Sequence, residues 1–209
     1  MNILPNKWVF KLKRCLDDTI ECYKAHLVAN GFHQQEGIDY TETFSPVVKH
    51  STIHIILALA VNHKWSIQQL DVQNACMHGI LSKEVYMRQP SGFIDPNYPN
   101  HVCKLHKSLY GLKQAPCQWF TRFSYYLEEL GFCESKANYS LFTFHKGDLL
   151  IILLIYVDDI LITCISSSYI FSLIQNLDRL FSMKDLGPLH YFLGLEAVYS
   201  TTSLHLTQT

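Results

Sequence analysis

Asp158 and Asp159 stand side by side in LLIILLIYVDDILITCI (residues 149–165), a run otherwise almost wholly apolar. Adjacent carboxylates in such surroundings repel each other and resist desolvation, which ordinarily drives one of them to take up a proton. A bound divalent cation reverses that balance and keeps both ionised. A third acid, Asp71, follows WSIQQL (residues 65–70) in a similar setting, and none of the three has a Lys or Arg beside it in sequence. Hard cations such as magnesium take carboxylate oxygens and keep waters for substrate phosphates; paired, they serve phosphoryl transfer. The plain alternative is that Asp-Asp merely favours a β-turn. The long apolar flanks on both sides argue against it.

The elements that must position these acids are legible in outline. The run reads as strand, tight turn and strand, with YVDD at the turn. KWVFKLKR (7–14) alternates apolar and basic residues, LDDT (16–19) turns, and IECYKAHLVAN (20–30) pairs back, giving a β-hairpin with basic residues on one face. Residues 31–48 are loop-rich. STIHIILALAVNHK (51–64) predicts a helix capped by Ser51 or Thr52, apolar on most sides and therefore buried. WSIQQLDV (65–72) predicts a strand. Residues 115–132 predict an amphipathic helix with Pro116 in its first turn and Gly131 closing it. HKGD (145–148) marks a hairpin turn, residues 166–183 a third helix, and LHYFLGLEAVYS with SLHLTQT a closing hairpin. This order suggests an α+β fold, with helices on one face of an antiparallel sheet.

Composition narrows the class. The 209 residues are 48% hydrophobic and 17% charged, enough for a real core and unlike a disordered chain. Seventeen Lys and Arg balance 18 Asp and Glu, so net charge gives no sign of nucleic acid. From residue 96 to 127, however, no acid occurs: Lys104, Lys107, Lys113 and Arg122 are interleaved with Tyr98, Tyr110, Trp119 and Phe120. Such a stretch suits a surface that tracks phosphates and stacks bases. Seven irregularly spaced cysteines fit a reducing intracellular compartment better than a disulfide framework. A membrane span is rejected: the apolar run has about 16 residues where about 20 are needed, and carries two central carboxylates. HVCKLH (101–106) lacks the fourth ligand of a zinc site.

The strings KWVFKLKR, YKAHLVANGFHQQEGIDYTETFSPVVK, WSIQQLDVQNACMHG, EVYMRQPSGF, LYGLKQAP, YVDDILIT and KDLGPLHYFLGLE follow one another over nearly the whole chain. Together they resemble the reverse transcriptase of plant copia-type LTR retrotransposons. The resemblance implies an RNA-directed DNA polymerase with right-hand architecture. Fingers would comprise residues 1–45 and 81–115, and palm residues 46–80 and 116–209. It implies two magnesium ions on Asp71 and Asp158, with Asp159 alongside, and attack of a primer 3′-hydroxyl on the α-phosphate of a dNTP. Nucleotide contacts would come from Lys11, His26, Val72, Ala75, Cys76, Tyr110, Gly111 and Lys113. Primer and template contacts would come from Tyr156, Lys184, Phe192, Leu193 and Gly194, the last three forming a primer-grip-like hairpin. Lys184 also lies where polymerases place a proton donor to pyrophosphate. Template, primer, dNTPs and the rest of a Pol polyprotein are the implied partners, and a cytoplasmic particle the implied location.

Several positions depart from the family pattern. His26 stands where Arg is usual, Asn30 and Gln73 where Lys is, Cys76 for Phe, Met77 for Leu, Cys117 for Arg and Asn138 for Asp. His26 gives up a permanently charged bidentate phosphate donor. Cys76 is smaller than the aromatic that blocks a ribose 2′-hydroxyl. The resemblance also carries the expectation of a truncated domain, with the thumb, connection and RNase H regions missing. Two readings follow: a polymerase domain, or a non-catalytic remnant with weak nucleic-acid binding. The three retained acids weigh for turnover, the substitutions and the expected truncation weigh against it, and on sequence alone the isolated chain is expected to be inactive.

Overall fold

The computed structural model describes residues 1–15, 17–199 and 204–208. In chain order the elements are β1 (Ile3–Leu4), β2 (Asn6–Arg14), β3 (Ile20–Ala29), α1 (His50–Asn62), β4 (Ser66–Val72), β5 (Ile80–Arg88), β6 (Val102–Lys107) and α2 (Ala115–Glu129). They continue with β7 (Cys133–Ser135), β8 (Asn138–Lys146), β9 (Leu149–Tyr156), β10 (Asp159–Cys164), α3 (Ser167–Phe181), β11 (Met183–Pro188), β12 (Tyr191–Phe192), β13 (Leu195–Tyr199) and β14 (Leu204–Gln208). The mixture of helix and strand is that of an α+β fold. The chain divides into two compact units, Met1–Ser45 with Cys76–Arg122, and Pro46–Ala75 with Phe123–Thr209.

In the first unit β2 and β3 pair antiparallel, and β1, β5 and β6 form a second small sheet. The register sets Lys11 opposite Lys24 and Val9 opposite His26. Because side chains alternate across a strand, Lys7, Lys11, Lys13, Lys24 and His26 share one hairpin face, as the alternation of KWVFKLKR predicts. The core of this unit gathers Leu4, Ala29, Val85, Met87, Leu112 and Ala115.

The second unit is built on a six-stranded sheet ordered β11-β4-β10-β9-β8-β7, with antiparallel pairing throughout. On one face Ile67, Ile152, Leu154 and Leu161 pack with Ile53, Ile56, Leu57 and Ala60 of α1, and with Leu189, Phe192, Leu195 and Ala197. The opposite face carries Leu70, Val72, Ile160 and Ile162, which are buried too, and α3 contacts β4, β10 and β11. Helices therefore cover both faces, not one as the element order suggested. The reason lies in the strands: LLIILLI and ILITC are continuous apolar runs without alternation, the pattern of strands buried on both sides.

The helices differ from expectation in detail. α1 begins at His50, before the expected Ser or Thr cap: the Lys49 carbonyl accepts the N–H groups of Thr52 and Ile53, and no side chain caps the end. It buries one face only, leaving Ile55 and Leu59 exposed. α2 closes in a Schellman motif: Phe132 N–H donates to Leu127 O and Gly131 N–H to Glu128 O, with Gly131 at φ 90°. Phe123 of α2 packs edge-on against Phe181 of α3 at 5.2 Å. Among the described residues no helix is long and apolar enough to cross a membrane.

Candidate active site

The YVDD turn is a two-residue hairpin turn joining β9 to β10, and Asp159 is paired with Tyr156 across it. Val157 sits at φ 56°, whereas Asp158 does not have positive φ, the pattern of a type II′ turn. Glycine is the usual residue there, so a β-branched valine stores strain at the tip. The Asp158 carbonyl accepts the Val72 N–H at 2.8 Å, which ties the turn to the end of β4.

On the other side of β10, Asp159 is the direct partner of Asp71, and across β4 Asp71 is the direct partner of Lys184 on β11. Directly opposed residues share a sheet face, so Tyr156, Asp159, Asp71 and Lys184 form one row over four strands, with Asp158 beside it at the turn. A cation does lie beside these acids, although none is near them in sequence; strand pairing supplies it. Asp71 and Asp159 are half-buried, and Asp158 and Lys184 are exposed. Burial, with the adjacent charges of Asp158 and Asp71, raises the Asp159 carboxyl above its ordinary range, and a hydrogen bond from Gln69 opposes this.

Among the described residues no three His, Cys, Asp or Glu side chains already converge into a metal cage. The donor chemistry nevertheless suits a hard cation: three carboxylates gather at the ends of two paired strands, and Asp159 is raised by burial and by its two acidic neighbours.

Val72 and Ala75, also in the second unit, are buried. Tyr156 and Leu193 pack against the apolar cluster on the Ile67 face. Phe192 and Leu195 pair around Leu193 and Gly194, whose φ values of 52° and 83° make a type I′ turn, so FLGLE is a hairpin. The further hairpin expected from SLHLTQT is β13 with β14; residues 200–203 lie outside the described residues.

In the first unit the ring of His26 meets that of Tyr110 edge-on at 5.3 Å. Gly111 adopts φ 88° with its Cα against the Ala29 carbonyl, where any side chain would overlap. Lys113 extends its ammonium to the Tyr40 hydroxyl at 3.2 Å and over that ring at 5.0 Å. Lys11 lies on the His26 face of its hairpin, and half-buried Cys76 packs against the first unit's core.

Three sequence readings need correction. Trp119 offers no base-stacking surface: it is 1% exposed, at helical spacing from the buried Phe123. Lys104 is engaged by Glu84. Cys117 is buried, so the cation usual there is not missing from an open nucleic-acid surface. Asn138, in turn, donates to the Thr52 hydroxyl at 3.0 Å and ties β8 to the first turn of α1. Sequence reasoning missed Gln69 and the buried Gln34, Asp39 and Gln114.

The whole chain, residues 1–209, matches the family model described as reverse transcriptase (RNA-dependent DNA polymerase). It is 48% identical over 208 residues to the retrovirus-related Pol polyprotein from transposon RE1 of Arabidopsis thaliana, covering all of this chain and 14% of that protein. It is 45% identical over 205 residues to the corresponding polyprotein from transposon TNT 1-94 of Nicotiana tabacum, covering 97% of this chain and 15% of the relative. The chain thus spans about a seventh of the relatives it matches. It belongs to the reverse transcriptase family, in the form carried by plant copia-type retrotransposon Pol polyproteins.

Proposed function

We propose that the chain is the fingers and palm of an RNA-directed DNA polymerase, the first unit supplying fingers and the second palm. The observation that carries this is the row Tyr156–Asp159–Asp71–Lys184 with Asp158 at its turn. Asp71 and Asp158 would hold two magnesium ions, with Asp159 alongside; when bound, they lower the pKa of a primer 3′-hydroxyl and neutralise charge on the α-phosphate and leaving pyrophosphate. The protein's own part is positional. Cross-strand pairing fixes Asp71 against Asp159, and the Val72–Asp158 hydrogen bond fixes the turn. Lys184 faces the acids as a cation able to meet or protonate a departing phosphate. Tyr156, Leu193 and Gly194, half-buried on the acid-bearing side, would seat a primer terminus, while Phe192 is buried in the core and anchors the hairpin. Within the first unit, Lys11, His26, Tyr110, Gly111 and Lys113 would receive the nucleotide, with Cys76 toward its sugar; Val72 and Ala75 of the second unit are buried and would act only by shaping the backbone after Asp71.

Primer extension by the full chain on poly(rA)–oligo(dT), with magnesium and dTTP, tests the reading. Extension is the expected result. Soluble, folded protein that gives none contradicts it and favours the second reading, a non-catalytic remnant that binds nucleic acid weakly. His26, lacking the bidentate guanidinium of Arg, and Cys76, lacking the bulk of Phe, support that second reading.

A further inference from the structure

Gln34, Asp39 and Gln114 are 5%, 2% and 3% exposed in the first unit. Buried amides and carboxylates are costly unless their hydrogen bonds are met. Here they are met by one another. Gln34 Nε2 donates to Gln114 Oε1 at 2.9 Å, and Gln114 Nε2 donates to the Asp39 carbonyl at 3.1 Å. The Asp39 carboxylate accepts from Asn2 Nδ2 at 2.6 Å and from the Gln35 N–H at 2.8 Å. At the other end of the relay, Gln34 Oε1 accepts the Lys113 N–H at 2.7 Å.

The relay ends on the loop that carries Tyr110, Gly111 and Lys113. That loop is pressed onto residues 29–34: Ala29 N–H donates to Tyr110 O at 2.8 Å, and a side chain at Gly31 would overlap the Gly111 carbonyl. Lys113 is held from two sides, its backbone by Gln34 and its ammonium by Tyr40, the residue after Asp39. We propose that the Gln34–Gln114–Asp39 relay is the positioning device of this loop and sets the affinity for the incoming magnesium–nucleoside triphosphate. This rests on the nucleotide-facing role proposed above for residues 110–113. Gln34 and Gln114 are positioning residues: they act through Lys113 and Gly111.

The test uses the isotope-labelled full chain and two readouts, amide exchange at Lys113 and titration with magnesium–dTTP. Gln34→Met keeps the volume and removes both hydrogen bonds. It is expected to speed Lys113 exchange at least about tenfold and to weaken dTTP binding by about tenfold, a modest share of what a misplaced contact can cost. Resonances of Asp71 and Asp159 stay in place. Gln114→Glu keeps the acceptor for Gln34 but sets a carboxylate oxygen against the Asp39 carbonyl, so it is expected to speed Lys113 exchange and weaken dTTP binding in the same direction as Gln34→Met. Should Gln34→Met not fold, Gln114→Met is read with the same expectations as Gln34→Met. Unchanged exchange, faster exchange with unchanged dTTP affinity, or a wild-type chain that does not bind dTTP overturns the proposal. Wild type that binds dTTP but extends no primer contradicts the polymerase reading alone.

Discussion

At the scale of single residues, Asp159 carries the most informative electrostatics. Its carboxyl is raised by burial and by Asp158 and Asp71. An acid whose folded value exceeds its unfolded value costs the fold stability on ionising. That cost is absent below about pH 4, the ordinary carboxylate value, and grows as pH rises through the raised one. Asp159→Asn should therefore raise Tm at pH 7 without metal, and the gain should vanish toward pH 4. An equal gain at every pH, or a lower Tm at pH 7, would refute the assignment. Magnesium should raise the wild-type Tm and do less for the variant, since ligand that binds only the folded state adds to stability. Cys76 makes a second prediction: Cys76→Phe should improve dTTP over rUTP incorporation by about tenfold or more, read as the ratio of kcat/KM values. No change in that ratio would remove position 76 from sugar selection.

At the scale of elements, close approach of backbones decides the outcome. Gly111 combines φ 88° with a position where a Cβ would overlap the Ala29 carbonyl and press on Val28. Gly111→Ala should cost about 2 kcal/mol or more in denaturant unfolding; a change under about 0.5 kcal/mol would mean the loop relaxes freely. The same scale shows what sequence could and could not reveal. The YVDD hairpin was legible because two apolar strand runs flank two acids. Burial of Trp119 was legible too, in its four-residue spacing from Phe123, yet interleaving with cations made it look like surface. Apposition of Asp71 with Asp159 and Lys184 depends on strands more than 80 residues apart in sequence, about which periodicity is silent; similar apolar settings grouped the three acids, and the resemblance alone added Lys184. Nothing local marks Gln34, Asp39 and Gln114 as buried, because polar residues in a loop-rich segment read as solvated until the partner loop is seen.

At the scale of the whole molecule, charge is nearly balanced, at −1, yet unevenly placed. Lys7, Lys11, Lys13, Lys24 and His26 share one hairpin face of the first unit. Nucleic-acid affinity should therefore depend on that face and not on net charge. Replacing Lys7, Lys11 and Lys24 with Ala should flatten the slope of log K against log salt for primer–template by about 3, at about 0.9 for each phosphate no longer neutralised. An unchanged slope would mean that these lysines do not neutralise phosphates. The central claim concerns the second unit: Asp71, Asp158 and Asp159 act together on a divalent cation. The most direct measurement is the magnesium dependence of primer extension on poly(rA)–oligo(dT) by wild type, Asp71→Asn and the Asp158→Asn/Asp159→Asn double variant, each shown to be folded. Extension that requires magnesium in wild type and falls by a factor on the order of 10²–10³ or more in both variants is the predicted result, comparable to removing a main transition-state stabiliser. Extension that survives in either folded variant at wild-type rates would contradict the account.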